Sequence, residues 1–187
     1  IIGSQIQFKF KNNFGLIPLI AKNYVGYKNI IELSSKAYLE NVSNDLPHCS
    51  IDDLTKYSEG IIVLSGSINN LIGNIYNKGL FEELDELIII LNNNFKENFY
   101  LEIQRHGDQN EKQFEIFNLN LSKKFQIPII ATNEVYYLDK EMHEAHDALM
   151  CIGQKTYVND QKRQKLTNNH YLKSSVEMVE IFKDLPE

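Results

Sequence analysis

The sequence predicts an α/β domain in which strands joined by crossover helices form a largely parallel sheet. Three observations lead there. Short apolar runs alternate with longer amphipathic segments along the whole chain. Several of the runs stop abruptly on polar residues, as strands do when their ends reach a ligand face. Apolar residues make up 43% of 187, enough for one sizeable core. A barrel and a doubly wound sheet both satisfy this pattern.

The elements follow in order. "IIGSQIQFKF" (1–10) reads as a strand, and "GLIPLIAKN" (15–23) as a second. Residues 24–40 are amphipathic with Asn23 as N-cap. "SIDD" (50–53) has the capping-box pattern and opens a short helix that Gly60 ends. "IIVLSG" (61–66) is a strand, followed by a helix from about Ile68 to Asn77 with Gly79 as stop signal. Residues 81–95 form a helix, 99–104 a strand and 109–125 a helix. "IPIIATNEVYYL" (127–138) starts with a short apolar run set off by Pro128, the pattern of a strand buried on both faces. A helix follows at about 140–152, and Ser174 with Glu177 caps a last short one. The Asn-rich tracts, including "NNN" at 92–94, have no repeat period.

Composition excludes several classes. A net charge of −6 gives no general attraction to nucleic acid, which needs clustered Lys and Arg. The apolar stretches are too short to span a bilayer and no signal peptide is recognisable, so a cytoplasmic protein is expected. Cys49 and Cys151 stand in no metal-like spacing. The opening apolar run without a Met reads as cut from something longer.

Four strand ends carry polar groups: Gln5 with Gln7, Ser65 to Ser67, His106, and Asn133 with Glu134. Parallel strands would gather these ends on one face, the usual place for catalysis. The plain alternative is that strand ends meet water. A hydrolytic metal centre needs several convergent His, Asp, Glu or Cys side chains, and this set offers one Glu and one His. "HEAH" (143–146) puts two histidines on one helical face without the spacing of the zinc-protease motif, which favours an exposed polar face. "DQKRQK" (160–165) reads as a solvated loop. Phosphate-cradling glycine loops, a nucleophile elbow and an Asp-x-Asp pair are all absent from the sequence.

The segments "NYVGYKNIIELSSKAYLE", "EGIIVLSG", "FYLEIQRHG", "IPIIATNEVYYLDKEMHEAHDALMCIGQKT" and "YLKSSVEMVEIF" occur in this order. Together they make the chain resemble the PHP domain of bacterial DNA polymerase III alpha subunits, over nearly its whole length. The resemblance implies an incomplete, TIM-like distorted (β/α) barrel lacking its N-terminal strands. Residues 1–155 would be the truncated PHP domain, and 156–187 its end and the start of a connection toward a polymerase core. Some members of the family hold three metal ions and act as 3′–5′ exonucleases.

The family's ligand positions in this stretch fall on Gln5, Leu16, Ser67, Glu134 and Tyr136, of which only Glu134 could ligate a cation. The resemblance therefore implies no catalytic residue, metal or cofactor here. Gln5, Ser67, His106, Asn133, Glu134 and Tyr136 would line a vestigial site. The full-length protein would be a nucleotidyltransferase, a DNA-directed DNA polymerase of replication, with Mg at the absent palm. Its expected partners are the rest of the alpha subunit, a proofreading exonuclease subunit and DNA. The alternative is an active metal-dependent PHP phosphoesterase or exonuclease.

Overall fold

The computed structural model describes residues 1–40 and 46–185. The chain falls into two compact units: Ile1–Glu102 with Ile116–Ile130, and Ile103–Glu115 with Ala131–Glu187.

The first unit carries a mixed six-stranded sheet. In chain order its strands are β1 (Gly3–Phe10), β2 (Asn13–Ala21), β3 (Cys49–Ser50), β4 (Ile61–Leu64), β5 (Phe99–Ile103) and β6 (Ile129–Ala131), arranged β3-β1-β2-β4-β5-β6. The last residues of β5 and β6 belong to the second unit. Strands β1 and β2 are antiparallel, with Gly3 opposite Ile20 and Phe10 opposite Asn13. Strand β2 is also antiparallel to β4, while β1 with β3 and β4 with β5 are parallel. The expected largely parallel sheet is thus corrected to a mixed one. The physical reason is Lys11, whose φ of 52° closes a two-residue hairpin loop. Parallel neighbours would have required a crossover of a dozen residues or more.

Alternation sets the buried face of the hairpin. Ile6, Phe8 and Phe10 of β1 and Ile17 and Leu19 of β2 point into the core, whereas Gln5 and Leu16 are exposed. Helix α1 (Tyr24–Leu39) lays Ile30, Leu33 and Ala37 into this core, and its Asn23 cap accepts from the Gly26 N–H at 3.0 Å. Helix α2 (Ile51–Lys56) starts from the expected capping box, with Ser50 Oγ accepting from the Asp53 N–H. It ends four residues before Gly60.

Helix α3 (Leu71–Asn77) starts later than the apolar pattern suggests, because Gly66 at φ 79° turns the chain and Ser67 Oγ donates to Asn70 Oδ1. It lies so close to β2 that a Cβ on Gly15 would meet Leu71 Cα at 2.4 Å. Helix α4 (Phe81–Phe95) buries Leu84, Leu87, Ile88, Leu91 and Phe95, one stripe at helical spacing. Helix α5 (Glu111–Phe125) has Phe114 and Leu121 buried. Strand β6 is half-buried to exposed, which corrects the reading of a strand buried on both faces. The Cys49 thiol is pushed up to about 11 by burial and donates to Leu33 O, so it is inert.

The second unit has less apolar core and more polar contacts. The 140–152 segment is a 3₁₀ turn (Lys140–Met142) running into α6 (His143–Gln154). Helix α7 (Ser175–Phe182) has the capping box expected of Ser174 and Glu177. Arg105 ties the unit together, donating to both Glu115 carboxylate oxygens, to Asp184 and to Ile181 O. Residues 186 and 187 of the 156–187 segment lie outside the described residues. Among the described residues, no helix is long and apolar enough to cross a membrane.

Candidate functional site

Past the end of β5 the chain turns at Gly107, whose φ is 83°. The His106 and Gly107 N–H groups both donate to the Glu111 carboxylate, at 2.7 to 2.9 Å, in the first turn of α5. This fastens the His106 loop to the helix start, where the dipole favours an anion. The His106 carbonyl in turn accepts from Thr167 Oγ1 at 2.6 Å and Asn169 Nδ2 at 3.0 Å. A distant stretch of sequence is thereby brought against the loop.

Residues 133–137 run beside this returning segment. Tyr137 and Tyr171 form a parallel bridge, and the Tyr136 N–H donates to His170 O at 2.9 Å. Asn133 donates to Tyr171 O and accepts from Lys173 Nζ, both at 2.9 Å. The result is a cluster of His106, Asp108, Glu111, Asn133, Glu134 and His170, all in one unit. The two imidazoles are buried and stacked, with centroids 4.2 Å apart and planes 8° apart.

The environment shifts the charged members. Burial works against the His170 imidazolium, but Asp108 and Glu134 outweigh it and the pKa is raised. The same pairing with His170 holds the Asp108 carboxyl below its usual range. Burial disfavours the Glu111 carboxylate, yet His106 and the two backbone N–H groups bring its pKa below normal. Burial lowers that of Lys173. The Tyr136 phenol is pushed up to about 12 by burial and by Glu134, to which it donates at 2.9 Å.

Four residues singled out from the sequence, His106, Asn133, Glu134 and Tyr136, therefore meet. The Glu134 N–H lies 3.2 Å from His106 Nε2. Gln5, exposed on β1, and Ser67, half-buried beside Asn70, are held in the first unit. Two other readings are corrected. The "HEAH" histidines are not an exposed polar face: His143 Nε2 lies 3.0 Å from Leu166 O and His146 packs against the Tyr136 and Tyr137 rings. The 160–165 loop is not simply solvated, because the Arg163 guanidinium is covered and paired with both Asp147 oxygens. Sequence reasoning missed Asp108, Glu111, His170 and Lys173. Asp108 follows His106 at two residues, a spacing that could have drawn attention; His170 sits in no motif.

Several residues that the resemblance puts at metal-ligand positions are chemically unsuited to a hydrolytic metal centre. Leu16 has no donor, the Gln5 amide and Ser67 hydroxyl are poor ligands for transition metals, and Tyr136 hydrogen-bonds the Glu134 carboxylate.

An α/β unit with a mixed sheet, followed by polar loops beyond β5 and β6, is the frame within which family comparison becomes informative. Residues 1–106 match the PHP domain, and the chain belongs to that family. It is 39% identical over 178 residues to the DNA polymerase III subunit alpha of Borreliella burgdorferi, a match covering 95% of this chain and 15% of that protein. Identity is 35% to the subunit alpha of Vibrio cholerae, covering 100% of this chain and 16% of the other. For that of Rickettsia bellii the figures are 36%, 92% and 15%. The chain spans about 15% of the length of the curated relatives it matches.

Proposed function

We propose that this chain is the PHP portion of a replicative DNA polymerase III alpha subunit and serves it as a scaffold. The observation that carries the reading is the alignment of 92 to 100% of the chain with such subunits at 35 to 39% identity. Residues 1–155 are the PHP domain, a remnant of a distorted TIM-like barrel, and residues 156–187 lead toward the polymerase core. The inherited positions Gln5, Ser67, His106, Asn133, Glu134 and Tyr136 have lost the family's hydrolytic chemistry, and the last four of them still meet within one unit. Synthesis on DNA, a nucleotidyl transfer using Mg, belongs to the palm of the full-length cytoplasmic protein. The PHP portion supports that core and the proofreading exonuclease subunit.

Two assays of the full-length subunit test this. Primer extension with Mg should be robust and 3′–5′ exonuclease activity of the purified subunit absent. An exonuclease that chelators stop and Glu134→Gln abolishes would overturn the scaffold reading in favour of an active PHP enzyme. Failure of primer extension would overturn the polymerase assignment.

A further inference from the structure

We propose that His106, Asp108 and His170 form a binding site for one divalent transition metal of the zinc type, distinct from the family's ligand positions. One donor atom from each residue lies within 4.8 Å of the others. His170 makes the strongest case. Its Nδ1 is 3.2 Å from Glu134 O, and since a carbonyl can only accept, this nitrogen carries the proton. In the neutral ring Nε2 then presents a lone pair. It is buried, has no hydrogen-bond partner, and faces Asp108 Oδ2 at 3.5 Å. Two acceptors confronting each other call for a cation. A proton shared between them would draw the pair to about 2.7–2.9 Å. Nitrogen and oxygen bound to one tetrahedral zinc are about 3.4 Å apart, from bond lengths of about 2.0–2.2 Å. The observed separation fits the metal.

His106 repeats the arrangement. Its Nε2 lies 3.1 Å from Asn133 Oδ1, while Nδ1 is buried without a hydrogen-bond partner, 3.3 Å from Glu111 Oε1. An outer nitrogen tied to a protein oxygen, with the inner nitrogen left over, is how metal-binding imidazoles are oriented. In the metal-free tautomer Nε2 accepts from the Glu134 N–H instead. Asp108 and Glu111 together supply the negative charge that offsets a dication. Imidazole and carboxylate donors suit zinc or cobalt, whereas Mg prefers an all-oxygen shell. The rings are parallel, so an ion in the plane of His170 lies off the plane of His106, and loading tilts the His106 ring out of the stack. The ion would clamp the 106–108 loop to the 167–173 segment. This revises the expectation of no metal and leaves the inherited ligand positions as described.

The test is a Co²⁺ titration of the chelator-stripped full chain, followed by displacement with Zn²⁺. The expected result is one equivalent bound, with the visible bands of a low-coordinate nitrogen and oxygen site. Asp108→Asn and His170→Gln should each weaken binding by more than the roughly 10–100-fold that loss of an outer partner costs. Glu134→Gln should weaken binding by far less than either, because His170 is oriented by the Glu134 backbone carbonyl. X-ray absorption of the zinc-loaded wild type should find two imidazole ligands, a readout independent of whether variants fold. Absence of stoichiometric cobalt or zinc would overturn the proposal. So would binding lost in Glu134→Gln but retained in Asp108→Asn, which would put the ion at the inherited position.

Discussion

The Tyr136 hydroxyl donates to Glu134 Oε1 at 2.9 Å, so the carboxylate just past the end of β6 is hydrogen-bonded by a phenol. The bond and the burial together favour the neutral phenol, whose pKa is pushed up to about 12. A raised value in the folded state means the folded chain holds its proton longer than the unfolded one. This contribution to stability is complete below the tyrosine's ordinary value of 10.0 and is lost as pH rises toward 12. Tyr137 and Tyr171 are also raised, so ultraviolet difference titration should resolve several tyrosines ionising late, and Glu134→Gln should return only the Tyr136 component toward 10. A late titration in which no component moves on Glu134→Gln would refute the coupling.

The capping box of α2 gives a second prediction, on the acid side. Burial opposes ionisation of Asp53, but the Ser50 hydroxyl and N–H, with Lys36, bring its pKa below 3.8. The folded value is depressed, so the contribution is present above the unfolded value and disappears as pH falls through the folded one. Ser50→Ala should cost about 1 kcal/mol at pH 7, the usual value of an N-cap. The loss should shrink in urea melts at pH 3 or below, as Asp53 becomes protonated. An equal loss at both pH values would contradict the assignment.

What the sequence disclosed depended on how local the physics is. Helix α4 was legible to its ends because its apolar stripe repeats at helical spacing, and both capping boxes were legible because their partners lie three residues apart. Strand direction was hidden. The hairpin turns on Lys11, a residue type that rarely adopts positive φ, in place of a recognisable Asn-Gly pair. Strand β3, at two residues, has no periodicity to read. The candidate site was half-visible for the same reason: His106 and Glu134 sit just past strands, whereas His170 arrives through hydrogen bonds spanning some sixty residues.

Arg105 separates buried from exposed pairing. Its fork engages both oxygens of Glu115, whose side chain is 12% exposed, and also Asp184, which is 63% exposed. Glu115→Gln should therefore cost about 1.5–3 kcal/mol, in the range of hydrogen bonds to charged groups. Asp184→Asn should cost clearly less, because exposed ion pairs are screened by solvent. Arg105→Lys should resemble the Glu115 change more than a conservative swap, since an ammonium cannot span both oxygens. Urea unfolding of the three variants checks the order, and equal losses for Glu115→Gln and Asp184→Asn would disprove it.

The final prediction concerns the contact that seats α3 on β2. Gly15 is buried, and a Cβ there would meet the backbone of Leu71 at 2.4 and 2.5 Å and Asn70 C at 3.0 Å. Those atoms cannot rotate away as a flexible side chain would. Leu71 and Ile72 are themselves fully buried, so the helix cannot lift without exposing core. Gly15→Ala should cost at least the roughly 1–3 kcal/mol typical of overpacking, despite adding one methyl group. Gly79→Ala is the control: no atom lies within 4 Å of its Cβ position, but its φ of 70° imposes backbone strain. That strain should cost only about 1 kcal/mol. Thermal or urea melts should rank Gly15→Ala as the more damaging change. The reverse ranking would mean that α3 does not pack on β2 at the distance described.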